Sequence, residues 1–329
     1  MESSELQQAF FITVKNSLPA HISMVDKIAE VLNISYDSVY RRIRGEKPIS
    51  FAELKRLCEH FHISLDQVLQ LQSDTVVFHA PGINGKTEFI EYISGILAQL
   101  KFFNSFGKKE MMYLCKDLPI WHFYTYPEIG AFKTFCWIKT IQNHPDLKNK
   151  SFSLEHFSFD DCNKIGQQIL AEYCKVPSIE LWNGESLNSS LLQVKYYKDA
   201  DLFDSEEDFQ SVLDSMDRML DHFQRQAEAG IKFMPGTTEL SHKATFQLYV
   251  NEVILGNNTI LVELDDNKHC FINYNVLNYL MTKDKRFTEA AYQSFHTLVS
   301  RSTMISGTGE KYRNKFFRDL REKVRALRK

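Results

Sequence analysis

The chain is 329 residues long, 43% hydrophobic and 25% charged, a length suited to two domains and a composition that excludes intrinsic disorder, collagen and coiled-coil fibre. Its formal net charge of -3 argues against a protein that coats nucleic acid without regard to sequence. That total hides an uneven distribution: residues 1–72 carry net -1, residues 73–309 net -8, and residues 310–329 net +6.

From residue 5 to 71 the apolar period is helical, and short breaks at Leu18-Pro19, Asn33-Ile34-Ser35, Gly45 to Pro48 and His62-Ile63-Ser64 divide it into about five short helices. Turn residues at Pro81-Gly82 and Asn84-Gly85 then mark a boundary, placed near residue 73. The stretch IAEVLNISYDSVYRRIRG, residues 28–45, is the most informative. Ile28, Leu32, Ile34 and Val39 are spaced to pack two helices across a three-residue turn, and Ala29 is small where those helices meet. Asn33 sits where the backbone needs a positive φ, which Asn tolerates best after Gly. Ser35 can cap the second helix, and Gly45 ends it.

These residues resemble the helix-turn-helix of the Cro-like (XRE-type) DNA-binding family. Pro48-Ile49-Ser50 and FAELKRLCEHFHISLDQVL continue the likeness through the last two helices, so it covers about residues 10–70. Val25 and Asn33 stand where the family often has Gln and Gly, and Arg42 stands where it tends to be apolar. The resemblance implies a recognition helix from Tyr36 to Arg44 lying in the major groove of double-stranded DNA. Tyr36, Asp37 and Arg41 would then face base edges, and Ser38, Arg42, Arg44 and Lys47 would be placed for phosphate contact.

Residues 80–87, APGINGKT, fit the loose pattern of a nucleotide phosphate loop, with Lys86 and Thr87 as phosphate and magnesium contacts and Asp265 or Asp266 as an acidic partner. Ala80 replaces the first glycine, however, and residues 87–240 read as mostly helical rather than as the alternating strands such a site needs. An ordinary turn is the preferred reading of this stretch.

Further along, residues 87–104, 160–174, 186–198 and 205–229 read as helices, the last opening at Ser205 with three acids and closing at Gly230. The aromatic stretch 121–137 fits core better than a ligand pocket. Residues 244–273 hold the clearest strand signals, with Gly256-Asn257-Asn258 as a turn. Two helices close the chain near 286–303 and 310–327. The final one is amphipathic and basic, better suited to solvation or internal pairing than to DNA.

No apolar run reaches the length of a spanning helix, and the N-terminus lacks the basic start of a secretory signal. Six scattered cysteines form no C-x-x-C pair, and no histidine spacing suggests a metal site. The expectation is therefore a cytoplasmic, multidomain protein without cofactor, metal or catalytic residues. An all-α helix-turn-helix domain at 1–72 precedes an α+β region at 73–329. The chain is expected to act as a homodimeric, sequence-specific transcriptional regulator, its larger region serving dimerisation, effector sensing or partner contact. The alternatives are an NTP-binding enzyme with a DNA-binding head and a protein-interaction scaffold.

Overall fold

The computed structural model describes residues 3–19, 21–69, 75–80, 88–237, 244–253, 256–275 and 277–329. Its first part is helical: α1 (Ser3–Asn16), α2 (Met24–Leu32), α3 (Tyr36–Ile43), α4 (Phe51–Phe61) and α5 (Leu65–Val68). They close around Phe10, Phe11, Val14, Ile28, Leu32, Val39, Leu57 and Phe61, a core of its own. The helix boundaries follow from local chemistry. Ser23 and Ser35 accept from the backbone N–H groups of Asp26 and Ser38, and Ser50 forms a capping box with Glu53. Asn33 ends α2 at φ 54° and His62 ends α4 at φ 53°. Gly45 has φ 79°, and a Cβ there would lie 3.3 Å from the Ser4 Cβ, so both conformation and space favour glycine.

The second part is α+β. Its strands are β1 (Lys109–Leu114), β2 (Ser178–Trp182), β3 (Phe246–Val250), β4 (Thr259–Leu264), β5 (Asn267–Asn273), β6 (Tyr279–Thr282) and the two-residue β7 (Thr303–Met304). They form one mixed sheet in the order β6-β5-β4-β1-β2-β3-β7. β1, β2 and β3 run parallel, while β4, β5, β6 and β7 join antiparallel. Side chains alternate across the sheet as strand geometry requires. Met111, Tyr113, Trp182, Leu248, Ile260 and Val262 enter the large core. Met112, Leu181, Leu261 and Cys270 enter a smaller one on the other face, under Tyr292 and Phe295 of α11 (Lys285–Ser300).

The large-core face is covered by α6 (Phe89–Asn104), α7 (Pro127–Cys136), α8 (Asp160–Tyr173), α9 (Asn188–Asp199), α10 (Glu206–Ala229) and α12 (Glu310–Ala326). α10 keeps its apolar stripe, Phe209 to Phe223, inside this core. The basic α12 lies along it, burying Phe317, Leu320 and Val324. Arg321 pairs with Asp221 at 2.6 Å, and Arg328 with Asp214 at 2.7 Å and Asp217 at 3.1 Å. The terminal basic helix is thus neutralised in part by the acidic middle of the chain.

Residues 87–240 hold two central strands, β1 and β2, which are flanked on both sides and packed on both faces, so neither shows a clear polar alternation. Residues 256–258 do not join neighbouring strands, because β1 and β2 lie between β3 and β4. Asp265 and Asp266 form the tight turn between β4 and β5, where Asp265 has φ 51° and accepts from the Lys108 backbone N–H at 3.0 Å. Of the phosphate-loop pattern, residues 81–87 lie outside the described residues. The segment before it is not a parallel strand: His79 makes an isolated antiparallel bridge to Met281 at the β6 edge.

Candidate nucleic-acid interface

α2 and α3 are held against each other by Ile28, Leu32 and Val39, all buried. This fixes which face of α3 is left outward. Tyr36 is 58% exposed and Tyr40 47% exposed, and Asp37, Arg41 and Arg44 share that exposed side, followed by Lys47 in the loop. Their i, i+4 spacing (36–40–44 and 37–41) aligns them along one stripe of the helix. Asp37 sits in the first turn of α3 and Arg41 in the last. Tyr40 was not singled out from sequence, although its position four residues after Tyr36 carried that signal.

The acid Glu46 tempers the basic rim. Its Oε1 lies 2.6 Å from Arg44 Nε, and its Oε2 lies 3.9 Å from Arg41 Nε. The hydrogen bond from Arg44, reinforced by the charges of Arg44 and Arg41, holds the Glu46 carboxyl below its ordinary range. Two expected DNA contacts are thereby partly occupied in the free protein. Ser38 is half-buried, and its hydroxyl oxygen accepts from Ser35 at 3.1 Å beside the helix cap.

Arg42 departs from expectation. Its side chain is only 4% exposed and points inward. It donates to Glu53 through Nη2 at 2.6 Å and Nε at 3.4 Å, and to the Ser38 carbonyl through Nη1 at 2.9 Å. A guanidinium held this way is withdrawn from the surface, so it ties α3 to α4 instead of standing with the exposed basic residues. Burial alone would raise the Glu53 carboxyl; Arg42, with the Ser50 backbone and hydroxyl, outweighs it and holds that carboxyl low.

Gln7, which the sequence did not single out, fixes the loop behind the interface. Its amide nitrogen donates to the carbonyls of Arg42 at 2.7 Å and Lys47 at 2.9 Å, and its oxygen accepts from the Ile49 N–H at 2.8 Å. One side chain of α1 therefore sets the path from α3 to α4. Its polar character on an otherwise apolar face was the available signal.

A family model described as BetR domain matches residues 19–92. The BetR-matched stretch contains α2 to α5 and the first turn of α6, so it includes the whole candidate interface and extends past the boundary near residue 73. It is compatible with a regulatory role. No curated protein and no solved structure matches the chain. Among the described residues, no group of three or more His, Cys, Asp or Glu is placed to hold a metal ion, and no helix is long and apolar enough to cross a membrane.

Proposed function

We propose that the chain is a sequence-specific DNA-binding transcriptional regulator. The observation that carries this reading is the outward stripe Tyr36, Asp37, Tyr40, Arg41 and Arg44 on a helix held by a capped helix-turn-helix, with Lys47 at its rim. In this reading α3 enters the major groove, Arg41 donates to a guanine, Asp37 accepts from a cytosine amino group, and Arg44 and Lys47 meet phosphates. The head is nearly neutral overall, so non-specific attraction is weak and one eight-residue helix supplies little affinity. A homodimer presenting two such helices about 34 Å apart to a pseudo-palindrome resolves this.

The test is selection from random double-stranded DNA with the full chain, followed by titration across salt. A preferred sequence and a falling affinity with salt are expected. Arg41→Ala is expected to relax preference at one base pair by ~1–3 kcal/mol, and Lys47→Ala to weaken all sequences alike. Failure to enrich any sequence would reject the proposal.

A further inference from the structure

A cavity of about 950 Å³ lies between the sheet and the helices over its larger core, within the size range of small-molecule sites. Its wall is mainly apolar and aromatic, with Leu100, Phe103, Trp121, Phe123, Trp137 and Phe271 prominent. The aromatic stretch read as core therefore does two jobs: Phe132 and Phe135 fill the interior, while Trp121, Phe123 and Trp137 face the cavity.

One wall residue does not fit an apolar interior. Lys133 stands in α7 among buried neighbours and is itself buried. Its ammonium donates to Gln193 Oε1 at 2.5 Å and Ser190 Oγ at 3.1 Å, both neutral acceptors. It sits 4.3 Å from the Phe123 ring centre and 4.9 Å from that of Trp137. An ammonium has three N–H donors, so two are accounted for and one is left. No carboxylate lies within ion-pair distance of Lys133 among the described residues. The ring faces and the charge of Asp117, which lies beyond ion-pair distance, recover part of the cost of burying such a charge. Burial lowers the Lys133 amine to about 8, which still leaves it charged at neutral pH.

We propose that this cavity binds an amphipathic monocarboxylate, its carboxylate on Lys133 between Ser190 and Gln193 and its apolar body along Trp121, Phe123 and Phe103. Asp117, a second wall residue whose charge also acts on Lys133, limits the site to a single anionic group. The site deepens the proposed regulator by giving its larger region an effector, and only the word effector rests on that reading. His62 and His79 also line the cavity, the first from the helical head and the second from the segment bridged to β6, so an occupant touches the connection between the two parts.

The test uses the full chain without DNA, so its failure leaves the DNA reading untouched, and a head that selects no sequence leaves this site standing. Octanoate and decanoate are titrated against octanol, following the fluorescence of Trp121 and Trp137 and the heat of binding. Saturable acid binding is expected, at least about tenfold tighter than the alcohol, with Lys133→Met erasing the difference while alcohol binding persists. The proposal is overturned if neither acid saturates by about 1 mM, or if acid and alcohol bind equally to the unsubstituted protein. That comparison needs no variant, so it decides the matter even if Lys133→Met fails to fold.

Discussion

Arg41 and Arg42 are neighbours in sequence with opposite surroundings, and that difference predicts opposite phenotypes. Arg41 is exposed and its guanidinium lies 3.9 Å from Glu46, so Arg41→Ala should leave folding stability within about 0.5 kcal/mol. Arg42→Ala leaves Glu53 without its cation and the Ser38 carbonyl without its donor. The expected cost is about 3 kcal/mol to the helical part, read from thermal unfolding followed by circular dichroism. Loss of base preference without loss of stability in Arg42→Ala would contradict the assigned roles. Glu46→Gln removes a negative charge from the proposed phosphate rim and releases Arg41 and Arg44. It should tighten DNA binding and steepen its salt dependence, and an unchanged salt slope would count against that rim. Asn33, Ser35 and Gly45 were legible in the sequence because their roles are local. The burial of Arg42 was not, because its partner Glu53 lies eleven residues away on another helix.

At the scale of elements, legibility followed periodicity. α10 and α12 were readable because each carries an apolar stripe at helical spacing, and α10 also starts at Ser205 and ends at Gly230. β1 was readable only as part of a buried mix of strand and helix pieces over 111–140, and β2 not at all, since short strands flanked on both sides and packed on both faces lose the alternation that marks a strand. The cavity was not legible: the aromatic stretch reads as core, because pocket wall and buried filler share one composition, and the opposing wall from α6, β4 and β5 is assembled only by the fold. The packing of α12 on α10 separates charge from burial as sources of stability. Leu320 is buried, so Leu320→Ala should cost about 2–5 kcal/mol. The Arg321–Asp221 pair is exposed on its acidic side, so Arg321→Gln should cost under about 1 kcal/mol. Comparable losses from both, measured by denaturant unfolding, would mean that the basic face rather than the apolar one holds the helix.

For the molecule as a whole, two of the buried histidines of the α+β region, His222 and His269, contribute to its response to acid. Burial, with smaller contributions from Arg225 and His122, lowers His222 to about 4; burial, with Lys283, lowers His269 to about 4. An imidazole in the unfolded chain titrates near 6.5. Above that value both states hold these rings neutral, and folding is not pH-dependent on their account. Between about 6.5 and 4 the unfolded chain takes up protons that the folded chain refuses, so stability falls as pH falls, and the loss levels off below the folded value. At pH 5 each ring should have removed about 2 kcal/mol. Glu180 and Glu53, held low in the folded state, lose their contribution only as pH drops through the ordinary carboxylate range, so they add to the decline later. All three tryptophans, Trp121, Trp137 and Trp182, lie in the α+β region, so their fluorescence reports its unfolding apart from the helical head. Denaturant titration at pH 7 and pH 5 should show a loss that begins well above the carboxylate range. His222 packs its ring 5.2 Å from that of Phe233, and His222→Phe should remove its share of the slope. Equal stability at the two pH values would show that these rings accept protons without unfolding the region around them.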